Sequence, residues 1–150
     1  MRRRDHWIEW MRAVDRESIA AAYAIELLDE RLKSDPSSLT ARGLERRDAD
    51  HVKANREATY LVRLFAVFES GLREAWEKAE KRRTHPTAAD LLDAFAARTK
   101  MPSDRLNDAH RVRVYRNSIV HDVTATPQPT SLAEARRFLC RYFSFLPPDW

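Results

Sequence analysis

Cysteine is almost missing: Cys140 is the single one in 150 residues. That excludes a disulfide framework and a cysteine-based zinc site, and a reducing, cytoplasmic setting is expected. Glycine is nearly as scarce. Gly43 and Gly71 are the only two, too few for the turns of a many-stranded sheet. Long apolar runs are also lacking. The longest, over 60–68, is interrupted by Arg63 and is too short to span a bilayer. The opening Met1-Arg2-Arg3-Arg4 carries the charge of a signal-peptide start, but no apolar segment follows it. No membrane partner is expected.

What is present points to helices. Apolar residues make up 43% of the chain and charged residues 33%, enough for a core under a soluble surface. Alanine, leucine, arginine and glutamate dominate, all good helix formers. The expectation is one all-α domain over 1–150: an elongated bundle of about five helices, two long ones followed by shorter ones. The net charge of +4 favours polyanionic partners modestly. The excess is carried by 22 arginines against 5 lysines, and arginine makes planar, bidentate contacts with phosphate. A genome-wide bias toward arginine codons produces the same excess, so composition alone does not choose a ligand.

Periodicity sets out the elements. Trp7, Met11, Val14, Ser18, Ala21, Ile25, Leu28 and Leu32 alternate spacings of four and three. This heptad-like stripe predicts a helix over about 5–33 that packs lengthwise on a partner. Asp35-Pro36-Ser37-Ser38 breaks it. A second helix is expected over about 40–82. Its first part, 40–57, is heavily charged, and reads as a solvated extension, a partner-binding arm or a poorly ordered segment. Its second part, 58–76, is apolar nearly all round, with Leu61, Leu64, Phe65, Phe68 and Leu72, and belongs at the centre of a bundle or in a subunit interface. Thr87 and Asp90 mark the start of a third helix carrying Leu91, Leu92 and Phe95. Pro102-Ser103 opens a fourth that ends near Asp122. After the rigid connector 126–130, Ser131 and Glu134 form a capping box for a fifth. That last helix buries Leu132, Ala135, Phe138, Leu139, Tyr142 and Leu146.

The chemistry-bearing stretch is Arg116-Asn117-Ser118-Ile119-Val120-His121. An arginine five residues before a histidine also occurs at Arg46/His51 and Arg105/His110, so spacing alone is weak. Only the third pair has a polar Asn after the Arg, aliphatic residues before the His, and a place at a helix end. On an ideal helix Ala109, Val112, Tyr115, Ile119 and Val123 form the buried face, with Arg116 at its edge. His110, Arg113, Asn117 and His121 stack on the opposite side. Arg116 and His121 are then about 140° apart. A side chain as long as arginine's, the end of the helix, or a second subunit must close that gap. A histidine titrating near neutrality can take the proton of a ribose 2′-OH or supply one to the leaving 5′-oxygen. Arg116 can stabilise charge on the phosphorane oxygens, and Asn117 can fix the histidine tautomer or donate to phosphate. The bland alternative is a polar helix end with His121 as a dipole partner.

These six residues resemble the Arg-polar-x3-His motif of HEPN domains, small all-α bundles that include many ribonucleases of toxin–antitoxin, CRISPR and phage-defence systems. The order of two long helices, shorter ones and a late motif is similar too, as is the segment Phe65-Ala66-Val67-Phe68-Glu69-Ser70-Gly71-Leu72. The resemblance implies a metal-independent endoribonuclease of toxin or defence type, without cofactor or metal. Its site would be shared across a homodimer and completed by Arg116, His121 and Asn117. Arg111 and Arg113 would hold RNA backbone. Glu69, in the apolar part of the central helix, reads equally as a carboxylate holding Arg116 or as a boundary residue with a surface partner. An antitoxin or regulatory protein is a further implied partner. A non-catalytic module of the same fold, binding RNA, a nucleotide or a regulator, is the alternative. The tyrosine that one branch carries two residues after the histidine is replaced here by Val123, so control by nucleotide transfer to it is not implied. Trp7, Trp10 and Trp76 read first as packing residues, and Arg2-Arg3-Arg4 as a flexible basic arm.

Overall fold

The computed structural model describes residues 3–80, 85–121 and 127–150. The all-α expectation holds. In chain order the elements are α1 (Arg3–Ser34), two short 3-10 turns (Pro36–Ser38 and Thr40–Arg42), α2 (Arg46–Glu80), α3 (Ala88–Thr99), α4 (Ser103–Val120) and α5 (Leu132–Phe143). The expected second-helix end at Arg82, together with Asp122, Val123 and Thr126, lies outside the described residues.

α1 and α2 pack antiparallel along their length. Their contacts run in opposite order: Arg3 and Trp7 meet Glu74, Arg63 meets Glu17, Arg56 meets Ser18, and Lys53 meets Asp29. The heptad stripe is the seam. Met11, Val14, Ser18 and Leu32 are buried in it, and the buried Ser18 is satisfied because its hydroxyl and carbonyl accept from Arg56 at 2.6 and 3.1 Å. Most of the segment 40–57 is exposed, while Ala49, Lys53 and Arg56 tie it to its surroundings. Thr40–Arg42 forms a 3-10 turn that ends on Gly43 at φ +70°, a left-handed conformation that favours glycine. This turn moves the start of α2 from the expected position 40 to Arg46. From there α2 docks on α1 through Ala49, which is buried with Leu32 and Leu39 in a small second core.

The main core is built around α2. Leu61, Leu64, Phe65, Phe68 and Leu72 are buried against Met11 and Val14 of α1, Leu91, Leu92 and Phe95 of α3, Ala109 and Val112 of α4, and six residues of α5. α2 is not covered all round, as expected of it, because Thr59, Arg63, Ala66 and Ser70 form an exposed strip. These side chains are small or charged and lose little in water. Gly71 lies beneath Phe143 of α5 and Trp7 of α1. A Cβ there would meet Phe143 at 2.7 Å and Trp7 at 2.9 Å.

The expected capping box of Ser131 with Glu134 is formed, and the expected Thr87 cap forms a second box with Asp90. Glu57 of α2 also accepts from the Leu132 amide at 2.9 Å, tying α5's first turn to α2. Arg3 and Arg4 are not a loose basic arm. Arg4 donates to the carbonyls of Ser144 and Leu146, each at 3.0 Å, and caps the end of α5. Among the described residues no helix is long and apolar enough to cross a membrane.

Candidate functional site

α4 carries the motif, and α2 decides how it is presented. Ala109 and Val112 are buried against α2, and Tyr115 and Ile119 are partly buried. Arg116 follows on the same side. Its guanidinium carbon lies 5.6 Å from the centre of the Phe65 ring, its Nε is buried without a hydrogen-bond partner, and its Nη1 donates to Asn117 Oδ1 at 3.0 Å. Asn117 is therefore engaged with Arg116, not with the His121 ring as the helical stack suggested.

His121 terminates α4. Its backbone turns to φ −123° and ψ 146°, while its N–H still donates to Asn117 O at 2.9 Å. The residue is exposed, and its ring makes no hydrogen bond among the described residues. One chain thus presents a seated arginine and, beyond the helix end, an open imidazole. No hydrogen bond joins the two.

His110, the histidine of the Arg105/His110 spacing, has a different local role and meets Arg113 instead. Arg113 Nε donates to His110 Nδ1 at 3.3 Å, and His110 Nε2 lies 2.9 Å from Asp93 Oδ1 on α3. Arginine can only donate, so Nδ1 carries the lone pair and the proton sits on Nε2, toward Asp93. With both ring nitrogens engaged, His110 serves as a strut between α3 and α4. Neither Asp93 nor this strut was evident from spacing, because the carboxylate comes from another helix.

Glu69 does not reach Arg116. It accepts from Arg73 one turn along α2 at 3.1 Å, and Arg73 in turn donates to Pro86 O at 3.0 Å. The expected support of Arg116 by a carboxylate is replaced by support from an aromatic face. Arg111 lies at the opposite edge of α4, with its guanidinium carbon 5.7 Å from the Phe138 ring of α5. A cleft of about 360 Å³ next to the motif is lined by Glu57, Tyr115, Pro129, Thr130 and their neighbours. Burial pushes the Cys140 thiol above its ordinary range and keeps it protonated. Among the described residues no group of three or more His, Cys, Asp or Glu side chains is placed to hold a metal ion. Trp7 and Trp76 pack against the core; Trp10 is half-exposed, edge-on to Trp7 at 4.6 Å. No protein-family model, curated protein or solved structure matches the chain.

Proposed function

We propose that this chain is a HEPN-like, metal-independent endoribonuclease of toxin or defence type, acting as a homodimer. The observation that carries the reading is the division of labour at the end of α4. Arg116 is fixed by Phe65 and Asn117, and the exposed His121 ring has no hydrogen-bond partner among the described residues. A fixed guanidinium beside a reacting phosphate stabilises developing charge without reorganising. An open imidazole can exchange protons with ribose and leaving-group oxygens.

A single histidine serves one proton transfer at a time, and the reaction needs two. A second copy facing the first across the α4 ends supplies the other histidine and closes the angular gap between Arg116 and His121. Arg111 and Arg113, which form no ion pair among the described residues, would line the cleft between the two copies and hold RNA phosphates.

A second reading is a non-catalytic interaction module of the same fold. Ile19, Tyr23 and Leu27 favour it. They are 63%, 62% and 48% exposed and lie on the side of α1 turned away from α2, as a face for a partner protein would.

The deciding experiment incubates total RNA with wild type and His121→Ala in EDTA. Cleavage by the wild type alone, leaving 2′,3′-cyclic phosphate ends, is expected. Equal cleavage by both proteins, or none by either, overturns the ribonuclease assignment.

A further inference from the structure

Ion pairs are unevenly spread over this molecule. Most arginines of α1 and α2 face a carboxylate. Arg111 on α4 and Arg137 and Arg141 on α5 have no ion pair among the described residues. Unpaired guanidinium groups that converge on one surface are the footprint of a polyanion site.

Two of them, Arg111 and Arg137, converge on one ring. Phe138 is only 8% exposed, yet the guanidinium carbons of Arg111 and Arg137 lie 5.7 and 5.1 Å from its centre. The ring is a buried floor that positions two cations at its rim. Arg111 Nε is buried without a partner, and its Nη2 makes only a long 3.4 Å bond to Pro129 O. Arg141 lies one helical turn past Arg137, about 6 Å on. A groove of about 400 Å³ runs along this face, lined by Arg136, Arg137, Cys140 and Arg141 with Ala133 and Glu134.

Two carboxylates lie close by, and both are committed elsewhere. Asp15 pairs with Arg136 at 2.8 Å. Glu134 accepts from the Ser131 amide and hydroxyl at 3.2 and 3.1 Å; these bonds first, and the nearby charges of Arg111 and Arg137 after them, hold its carboxyl below the usual range. Neither bonds to Arg111, Arg137 or Arg141.

The geometry points to the outer face of α5, with Arg111, Arg137 and Arg141, as a binding surface for the phosphodiester backbone of RNA, an inference that rests on the ribonuclease reading. Arg111 is the joint between the surfaces. It is on the helix that carries Arg116 and Asn117, and it touches the ring that carries Arg137. An RNA strand crossing α5 is thereby led onto α4 toward the open His121. These arginines position the strand and take no part in bond cleavage. An anionic membrane fits less well, because the aromatic ring at the centre of the patch is buried and cannot insert.

The test measures binding of a single-stranded RNA oligonucleotide to full-length His121→Ala protein in EDTA over a series of salt concentrations. Adding Arg137→Gln and Arg141→Gln is expected to weaken binding about 10-fold or more and to lower the log–log salt slope by about 1.4, at ~0.7 per lost phosphate contact on a single strand. In an otherwise wild-type chain the same pair raises KM and leaves kcat unchanged. Unchanged affinity and slope overturn the proposal. So does a loss of binding to phosphatidylserine vesicles with RNA binding intact. If no form cleaves RNA but the pair still weakens RNA binding, the surface stands and the ribonuclease reading falls. If the wild type cleaves and the pair alters neither binding nor KM, the reading stands and the surface falls.

Discussion

The Arg116 guanidinium carbon sits 5.6 Å from the centre of the Phe65 ring, so the cation of the candidate site rests against the central helix of the core. Such a contact fixes a guanidinium without neutralising it. A carboxylate in the same place would hold it equally well but would cancel much of the charge that a phosphorane needs.

This contact sets the first prediction. Arg116→Lys keeps the charge but loses the flat face on Phe65 and the fork to Asn117. On the ribonuclease reading, kcat falls about 100-fold, while stability falls by only about 1 kcal/mol. RNA cleavage assays and thermal unfolding of the same preparations check it. A loss of cleavage no larger than the loss of folded protein would make Arg116 a packing residue.

Gly71 gives the second. Alanine in place of a mid-helix glycine ordinarily stabilises by up to about 1 kcal/mol. Here the added methyl would stand 2.7 Å from Phe143 and 2.9 Å from Trp7, with both rings held in the core. Gly71→Ala is expected to destabilise by about 1–3 kcal/mol. Urea unfolding monitored by circular dichroism and tryptophan fluorescence measures it, and a variant at least as stable as wild type contradicts the close approach.

The third concerns pH. Burial raises the Glu74 carboxyl, but the bonds it accepts from Arg3 and Trp7 outweigh burial and hold it below the usual range. A carboxyl lowered on folding contributes stability above its unfolded value, near 4.3, and loses it as pH falls through the folded value. Glu74→Gln should therefore cost about 1 kcal/mol at pH 7, with the difference from wild type shrinking below about pH 4. Unfolding curves at pH 7, 5 and 3 give that difference. A gap that is constant with pH would remove the carboxylate from the docking of α1.

Much of the fold was legible because helix signals are local. The Ser131–Glu134 box, the Thr87 cap and the buried face of α5 each lie within a few turns, and each forms as its spacing predicts. The start of α2 was misplaced because Gly43 adopts a left-handed turn inside a charged stretch that looks uniformly helical. The Arg116 motif was legible as a pattern, but its partners were not. Phe65 is 51 positions earlier in the chain and reaches Arg116 only because α4 packs on α2.

The chain alone determined an all-α bundle, its seam along Met11, Val14 and Ser18, its central apolar segment, and the placing of Arg116 and His121 at the end of one helix. Periodicity and capping set all of these over distances of a few residues. Tertiary packing decided the rest. It turned His110 into a strut to Asp93, bound Arg4 to the end of α5, and set Arg111 and Arg137 on one ring. Which charge meets which depends on how helices far apart in the chain align, and that alignment follows from packing the apolar faces together rather than from any local spacing.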